Sequence, residues 1–496
     1  MGPHRATGLA VVQSAMERGT RPIPGRAIRA YGAGRESDTI TIDPHARFSL
    51  RGGLRLARWR RSRARQESLL SISYPDSVQF LYALGNEFKT IKFGLERIRT
   101  LLAALGNPQQ ACRFVHVAGT NGKGSTCAMI ERSLRIAGVR TGLFVSPHLI
   151  EPTERIRVAG AAVTAGEFAA AFDLVHAAAE RLITAGEIDM HPTYFETITA
   201  MALALFREKG AAMVVLETGM GGRLDATNVV DPLLSVITPI DFDHEKYLGS
   251  SIPEIAYEKA GILKPGRPAV FARQRPEALE VLERRARETG SAVTRVTDWE
   301  VRDLEIGVRG NRFTAVLGAA EIKVHCPLIG EHQVDNAMTA VVALHALGVP
   351  RAAIEAGIAA TQWLGRLEQV HSAPDVFLDG AHNPAGAAAL GAYIRRFHTG
   401  RRVWMIFGAM RDKDLRVIGA ELFPLAQELI FTTPHQTRAF RAEEIRDISG
   451  ETRARVVDEP AEALRLALQA PAEDVVFITG SLYLVGEIRG LPGLMG

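Results

Sequence analysis

The sequence is poor in cysteine and has no long hydrophobic run. Its 496 residues include three cysteines, Cys112, Cys127 and Cys326, and this odd, widely spaced set excludes a disulfide scaffold and a CxxC metal or redox site. No apolar stretch approaches the roughly 18 residues of a membrane span, and no charged and then apolar segment opens the chain. We therefore expect a protein of the reducing cytoplasm without a membrane partner.

Lysine is absent from the first 72 residues, although the whole chain has a net charge of +4. This segment holds fourteen arginines and five acids, so it carries +9 and the remainder carries −5. Because it shows no sustained helical or strand period, we expect residues 1–72 to be an unstructured extension or an upstream start wrongly included. A tail for nucleic acid or a membrane surface, and a transit peptide, are the other interpretations.

From residue 73 onward, short β-branched runs alternate with alanine-rich amphipathic stretches. The alternation predicts an α/β fold with a mainly parallel sheet covered on both faces. A second alternation begins after Gly365, so we expect one domain over residues 73–365 and another over 366–496. The predicted strands are residues 113–117, 141–145, 213–216, 234–238 and 269–271 in the first part, and 376–378, 403–407, 428–432 and 475–479 in the second.

A glycine-rich segment, residues 117–126 (VAGTNGKGST), lies between a predicted strand and a helix that we expect from about Ser125. It departs from the strict P-loop pattern, because Val117 stands at the first glycine position and Gly124 separates Lys123 from the hydroxyl residue. Backbone N–H groups at a helix N terminus still form an anion cradle, Lys123 can reach the β- and γ-phosphates, and Ser125 can hold Mg²⁺. The segment therefore predicts a nucleotide phosphate site.

Other polar motifs follow predicted strands. Residues 214–228 (VVLETGMGGRLDATN) place Glu217 at a strand end, where a carboxylate beside a P-loop usually serves Mg²⁺. Asp379 opens DGAHNP directly after another strand, at a position where open α/β sheets bind ligands. Taken alone, each is also compatible with a surface loop or a helix cap. The same holds for the remaining candidates, which are residues 243–244 (DH), Lys259 and the helix start at 330–337.

These motifs occur in a fixed order together with SPHL (146–149), GRLE (365–368) and ITGSLYLVGEI (478–488). As a set they closely resemble folylpolyglutamate synthase, including its bacterial form that is also a dihydrofolate synthase, within the Mur-ligase family. The resemblance runs from about residue 74 to 488. It implies a Mur-type P-loop ATPase domain that binds ATP and folate, followed by a smaller Rossmann-like glutamate ligase domain. It also implies that ATP phosphorylates a carboxylate of folate or dihydropteroate, and that L-glutamate attacks the acyl phosphate.

The resemblance further implies roles for individual residues. Lys123, Lys259 and His244 would be catalytic, with Lys259 carboxylated on its ζ nitrogen so that it helps to hold the second of two Mg²⁺ ions. A monovalent cation is a further candidate cofactor. The implied ATP contacts are Asn121, Gly122, Lys123, Gly124, Ser125, Asn336, Arg366, Asp379 and His382. The implied metal ligands are Ser125, Ser146, Glu217 and His244, and the implied pteroate or folate contacts are Tyr194, Phe195, Glu196, Leu224, Asp225 and Ala226.

Departures from the family pattern are small. Thr218 and Met220 occupy loop positions where the family often has Val and Leu, and residues 411–414 (RDKD) alternate basic and acidic side chains. We expect none of these residues to touch a ligand. The departures therefore leave the interpretation unchanged.

Two other functions predict different behaviour. A peptidoglycan-type Mur ligase carries a UDP-sugar domain of about 100 residues before its P-loop, whereas Gly119 follows Tyr74 by 45 residues. A nucleic-acid-binding protein acting through residues 1–72 would lose its main activity on deletion of that segment but not on Lys123→Ala. We expect a monomeric folate ligase with no nucleic-acid partner. A monofunctional folylpolyglutamate synthase, or another Mur-family amino-acid ligase, is the alternative.

Overall fold

The computed structural model describes residues 72–84 and 94–491. The predicted arginine-rich extension, apart from Ile72, lies outside the described residues. The helices are α1 (Tyr74–Ala83), α2 (Glu96–Ala104), α3 (Lys123–Ile136), α4 (Ala165–Thr184), α5 (Tyr194–Glu208), α6 (Glu245–Leu248), α7 (Ile252–Ala260), α8 (Pro276–Thr289), α9 (His332–Ala346), α10 (Arg351–Ala359), α11 (Pro384–Phe397), α12 (Leu415–Leu422), α13 (Ala442–Ser449), α14 (Pro460–Ala467) and α15 (Leu482–Arg489).

Seventeen strands form three sheets among the described residues. They are β1 (Arg113–Ala118), β2 (Thr141–Phe144), β3 (Ile156–Val158), β4 (Ala161–Ala162), β5 (Met213–Glu217), β6 (Leu234–Ile237), β7 (Ala269–Phe271), β8 (Val293–Arg295), β9 (Glu300–Gly307), β10 (Gly310–Leu317), β11 (Ala320–Cys326), β12 (Glu368–His371), β13 (Asp375–Leu378), β14 (Val403–Phe407), β15 (Glu428–Phe431), β16 (Arg455–Val456) and β17 (Val475–Thr479). All nine predicted strands are present, each within one residue of its expected ends. None of the described helices combines the length and apolarity that a bilayer crossing demands.

The largest sheet has eight strands in the order β4-β3-β2-β5-β1-β6-β7-β8. Six of them run parallel, and β3 and β4 add an antiparallel edge. Side chains alternate across the central strand β1: Val115 and Val117 pack on one face with α3 and α9, and Phe114 packs on the other face with α4 and α5. Because helices cover both faces, the strands read as continuous apolar runs, and the prediction of a mainly parallel α/β fold is confirmed.

A three-stranded antiparallel sheet, β11-β10-β9, follows the large sheet in the chain and was not predicted. Its strand β11 alternates buried and exposed residues, and Ile322, Val324 and Cys326 join the core beneath α9. The Asn311 side chain donates hydrogen bonds to the carbonyls of Leu328 and Gly330, at 3.1 and 3.0 Å. These bonds fix the link from the small sheet to the start of α9, which reaches the phosphate loop.

The C-terminal sheet has six strands in the order β12-β13-β17-β14-β15-β16. Only the β12–β13 pair is antiparallel, and separate apolar clusters cover the two faces. This sheet is the smaller α/β unit that the resemblance implied. The carboxyl ends of β13 and β14 face the same cavity as the carboxyl ends of β1 and β5.

Candidate active site

A cavity of about 400 Å³ lies between the loops that follow β1, β5 and β6 and the loops that follow β13 and β14. Its volume is in the range of small-molecule sites in proteins. The eight-stranded sheet and the C-terminal sheet both contribute to its wall. Every residue that the sequence assigned to ATP or metal lines it. These residues are Asn121, Gly122, Lys123, Gly124, Ser125, Ser146, Glu217, His244, Lys259, Asn336, Arg366, Asp379 and His382.

The loop after β1 approaches its neighbours so closely that glycine is required at two positions. A Cβ at Gly119 would lie 1.8 Å from Thr238 Oγ1, and a Cβ at Gly122 would lie 2.0 Å from Asn336 Oδ1. Helix α3 begins at Lys123, two residues before the expected start, and no described side chain caps its N terminus. Its first N–H groups are therefore available to an anion.

A chain of buried amides ties this helix to α9. The Gln333 side chain donates to Ser125 Oγ at 3.4 Å, and the Asn336 side chain donates to Gln333 Oε1 at 3.0 Å. Gln333 was not among the predicted site residues, although it lies in the same motif as Asn336. Its position shows that the motif orients the P-loop hydroxyl as well as lining the cavity.

Two lysines concentrate positive charge beside the loop. Lys123 Nζ donates to the Thr120 carbonyl at 3.1 Å, and Lys259 Nζ donates to the Gly119 carbonyl at 2.8 Å. Neither forms an ion pair with a carboxylate in the described part of the chain. Burial, and then repulsion by Lys123, lowers the pKa of Lys259 to about 7. The cavity therefore favours an anionic ligand here and gives Lys259 a substantial neutral fraction at neutral pH.

The predicted metal ligands lie around the end of β5. Glu217 pairs in register with Val117 of β1, and its Oε2 accepts the Ser146 N–H at 3.2 Å. Burial raises the pKa of Glu217 to about 7, partly offset by Lys123. Burial also lowers the pKa of His244 to about 3, so its imidazole is neutral. No lysine or arginine among the described residues forms an ion pair with Glu217. A buried carboxylate, serine hydroxyls and a neutral imidazole fit Mg²⁺ whose shell is completed by phosphate and water.

Asp243 connects the two sides of the cavity. Its carboxylate accepts from Lys413 Nζ at 2.7 Å and from Asn383 Nδ2 at 3.2 Å, and Asn383 Nδ2 also lies 3.0 Å from Asn121 Oδ1. Although burial opposes ionisation, His244, Lys413 and His382 hold the pKa of Asp243 well below its usual range. We call the Asp243–Lys413–Asn383 group the clasp.

The clasp corrects one expectation from the sequence. Lys413 lies within residues 411–414, which we expected to be remote from any ligand, yet it lines the cavity, as does Met220. The local pattern around Lys413 resembles a solvated charge run. Its partner Asp243 lies 170 residues away in the chain, so no short motif could have paired them.

The C-terminal sheet presents its groups through a loop that hydrogen bonds hold in place. Asp379 accepts from the Leu367 and Ala381 backbone N–H groups at 2.9 and 3.0 Å, which holds the turn after β13 against residues 365–367. His382 Nδ1 donates to the Gly380 carbonyl at 2.7 Å, and burial lowers its pKa to about 4. Arg366 donates to the Gly365 carbonyl at 3.0 Å. Arg366 and His382 are thus positioned at the cavity wall.

The six residues assigned to pteroate do not line the cavity. Glu196 accepts from Arg97 Nε at 2.9 Å and from the Thr193 N–H at 2.8 Å, which caps α5. Asp225 accepts from the backbone N–H groups of Met220 and Thr227, at 2.9 and 3.0 Å. Tyr194, Glu196, Asp225 and Ala226 are buried, and Phe195 and Leu224 are half-buried. Both segments contact the cavity-lining loop that begins at Gly219, because a Cβ on Gly219 would lie 2.4 Å from the Phe195 ring and the Met220 N–H donates to Asp225.

Fold and site together define a P-loop nucleotide-binding protein in which a second α/β unit faces the phosphate loop. Residues 117–344 match the Mur ligase middle domain, and residues 365–482 match the Mur ligase glutamate ligase domain. The dihydrofolate synthase/folylpolyglutamate synthase of Bacillus subtilis (strain 168) is 36% identical over 413 residues, covering 80% of this chain and 95% of that protein.

Solved structures give the same result. The crystal structure of Mycobacterium tuberculosis folylpolyglutamate synthase complexed with ADP and AMPPCP matches with a TM-score of 0.79 and 33% identity, covering 85% of this chain and 99% of that one. E. coli FolC in complex with DHPP and ADP matches with a TM-score of 0.75 and 32% identity, covering 84% and 97%. The chain therefore belongs to the dihydrofolate synthase/folylpolyglutamate synthase family of Mur ligases, which confirms the resemblance found in its motifs.

Proposed function

We propose that this protein is an ATP-dependent ligase that joins L-glutamate to tetrahydrofolate and to dihydropteroate. The observation that carries the proposal is the convergence of the P-loop, two lysines and a metal-binding donor set in one cavity faced by the C-terminal sheet, in a chain 36% identical to a dihydrofolate synthase/folylpolyglutamate synthase. ATP would lie with its phosphates on the N terminus of α3, against Lys123. Asn336 would contact ATP on its adenine side. Arg366, Asp379 and His382 would approach ATP from the C-terminal sheet.

The chemistry needs a carboxylate to approach a polyanion. Mg²⁺ bound by Ser125, Ser146, Glu217 and His244 would supply charge neutralisation at the phosphates. Lys123 adds a fixed positive charge at the γ-phosphate. A carboxylate oxygen of the acceptor attacks the γ-phosphorus, and ADP leaves. The glutamate amine then attacks the acyl carbon, loses a proton, and displaces phosphate, which carries the acceptor's oxygen away.

Lys259 is proposed to be carboxylated. Its ammonium form would first lose a proton, and the neutral amine would then attack CO₂, form an N–C bond and release a second proton, which converts a cation into a carbamate anion. The buried position and the lowered pKa of Lys259 favour the neutral amine that this reaction requires. The carbamate would help to hold a second Mg²⁺. A monovalent cation is a further proposed cofactor.

The pteroate moiety is proposed to lie against residues 194–196 and 224–226. Their carboxylates already accept hydrogen bonds from the protein, so we assign Glu196 and Asp225 to positioning and the Phe195 ring to stacking. We further propose residues 73–365 as the ATP- and folate-binding domain and 366–496 as the glutamate ligase domain, in line with the matched family regions.

We also propose a monomeric cytoplasmic enzyme with no nucleic-acid partner. Its three cysteines are free thiols, as a reducing compartment allows. Light scattering of the purified chain tests the monomer, and deletion of residues 1–72 tests the extension, which should leave ligase activity intact. A fall in turnover on deletion would assign the segment to the working enzyme.

The activity is tested by phosphate release with ATP, Mg²⁺, glutamate and one acceptor at a time. We expect glutamate-dependent release with both dihydropteroate and tetrahydrofolate. Release with tetrahydrofolate alone would define a monofunctional folylpolyglutamate synthase. No glutamate-dependent release with any folate, or turnover of a UDP-muramoyl substrate instead, would refute the proposal.

A further inference from the structure

A second group of metal-ligating side chains lies away from the cavity. His176 and Glu180 occupy successive turns of α4, and His191 precedes α5. One ligand atom from each lies within 4.8 Å of the other two, and no other such group of three occurs in residues 72–84 and 94–491. None of the three lines the candidate active site.

The spacing of the ligand atoms matches a tetrahedral ion. His176 Nδ1 lies 3.1 Å from His191 Nε2 and 4.0 Å from Glu180 Oε1. Zn²⁺ binds imidazole nitrogen at about 2.0–2.1 Å, which places two tetrahedral ligand atoms about 3.3 Å apart. The Glu180 side chain is 55% exposed, so a rotamer change can close the longer distance. Residues four apart share one helix face, and His176 and Glu180 therefore reach one ion from the same side.

Hydrogen bonding fixes the tautomer of His191. Its Nδ1 lies 2.9 Å from the Pro192 carbonyl, which can only accept, so Nδ1 carries the hydrogen and the Nε2 lone pair faces His176. Metal-ligating histidines usually make such a bond through their other ring nitrogen. His176 Nδ1 therefore donates its hydrogen to His191 Nε2. Ion binding would move that hydrogen to His176 Nε2 and leave the Nδ1 lone pair for the metal.

Aromatic rings hold both imidazoles in place. Phe172 stacks on His176 with centroids 5.4 Å apart and planes 10° apart. Phe80, on α1, contacts His176 and His191 edge-on at 4.7 and 5.4 Å. The ligand planes are therefore fixed by packing from α1 and α4, so little ordering remains for an ion to impose.

We propose that His176, Glu180 and His191 bind one divalent transition-metal ion, with Zn²⁺ as the best match and water completing a tetrahedral shell. Two imidazoles and one carboxylate are a zinc ligand set, whereas Mg²⁺ prefers six oxygen ligands. The ion is thus separate from the Mg²⁺ of the ligase reaction. Because His191 lies two residues before Thr193, the N-cap of α5, the ion would tie α4 to the start of α5.

The test measures Zn²⁺ binding to the full chain in excess Mg²⁺. After treatment with a chelator and its removal, Zn²⁺ is titrated in competition with a chromophoric zinc indicator. We expect one tightly bound ion per chain, its loss in the His176→Ala/His191→Ala double variant, and the visible spectrum of tetrahedral Co²⁺ when Co²⁺ replaces it. No stoichiometric binding by the unaltered chain, or equal binding by the double variant, overturns the proposal.

Two further variants keep the test independent of folding. Glu180→Gln changes an exposed side chain and should weaken Zn²⁺ binding by at least about tenfold, as loss of a metal-site partner does, with an unchanged circular dichroism spectrum. The matched control is His435→Ala. His435 faces Glu459 and Glu487 with opposite ring nitrogens, at 3.1 and 3.4 Å, so these three cannot share one ion, and full binding is expected. Unaltered affinity in Glu180→Gln, or lost binding in His435→Ala, contradicts the assignment.

Discussion

Two sets of buried or half-buried charged side chains, both found through motifs, differ in what they contact. In the cavity, Lys123 and Lys259 donate to backbone carbonyls, and Glu217 accepts one backbone N–H. None of these three forms an ion pair with another described residue. In the segments assigned to pteroate, Glu196 forms a buried ion pair with Arg97, and Asp225 accepts three hydrogen bonds from Met220 and Thr227.

The difference teaches which charges serve a ligand. Burying a charge without an opposite charge is costly. We therefore expect bound phosphate and metal to stabilise the cavity set. The two carboxylates of the pteroate set already accept hydrogen bonds within the protein, although Glu196 Oε1 is buried without a partner among the described residues. We therefore expect substitutions in the first set to reduce turnover, and substitutions in the second set to reduce stability.

The largest effect is expected from Lys123→Ala. Loss of the positive charge at the γ-phosphate should lower kcat by about a thousandfold, in the range seen when one preorganised charge-stabilising group is removed. The melting temperature should not fall. The matched control is Lys323→Ala on the exposed face of β11, which should keep full activity. Equal losses in both variants would remove Lys123 from the phosphate site.

Lys259→Ala should lower turnover by about a hundredfold, because it removes the proposed carbamate and its charge at the second metal. Short carboxylates added to the assay should restore part of the activity. Carbon-13 labelled bicarbonate should give a carbamate signal in the unaltered protein that the variant lacks. Full activity of the variant would show that the carbamate assignment is mistaken.

The clasp predicts coupling between the two sides of the cavity. Lys413 and Asp243 are 9% and 8% exposed at their side chains, so Asp243→Asn and Lys413→Met should each lower kcat/KM by about tenfold or more by breaking a buried ion pair. In the double variant the losses should be far from additive, with a coupling energy of about 1–3 kcal/mol. Additive effects would show that the pair does not act as a unit.

The smallest effect on catalysis is expected from Glu196→Gln. Breaking its buried pair with Arg97 should lower the free energy of unfolding by about 3 kcal/mol, while the KM for the acceptor changes by no more than about threefold. Denaturant unfolding and acceptor kinetics are measured on one preparation. A large rise in KM at unchanged stability would make Glu196 a direct substrate contact and erase the contrast between the two sets.

The sequence predicted most of what is local. All nine predicted strands are present, because a buried strand shows its apolar run within a few residues, and the P-loop combines its glycines and lysine in one segment. The small antiparallel sheet was missed even though Ile322, Val324 and Cys326 alternate with polar residues. Its alternation could have been found by counting a period of two.

What the sequence could not predict depends on distant contacts. Lys413 and Asp243 pair across 170 residues, and only the packing of the two sheets brings them together. Residues 194–196 show the opposite case, since their motif was visible but its carboxylate, Glu196, caps α5 and binds Arg97. A motif supplies residue types, and the partners of each side chain decide how it is used.

The most direct test of the ligase account follows an oxygen atom. The acceptor is labelled with oxygen-18 in its reacting carboxylate, and the inorganic phosphate formed with ATP and glutamate is examined by mass spectrometry. Because a carboxylate oxygen attacks the γ-phosphorus and leaves with phosphate, the account predicts one labelled oxygen in each phosphate for each glutamate joined. Unlabelled phosphate released together with the amide product would contradict it.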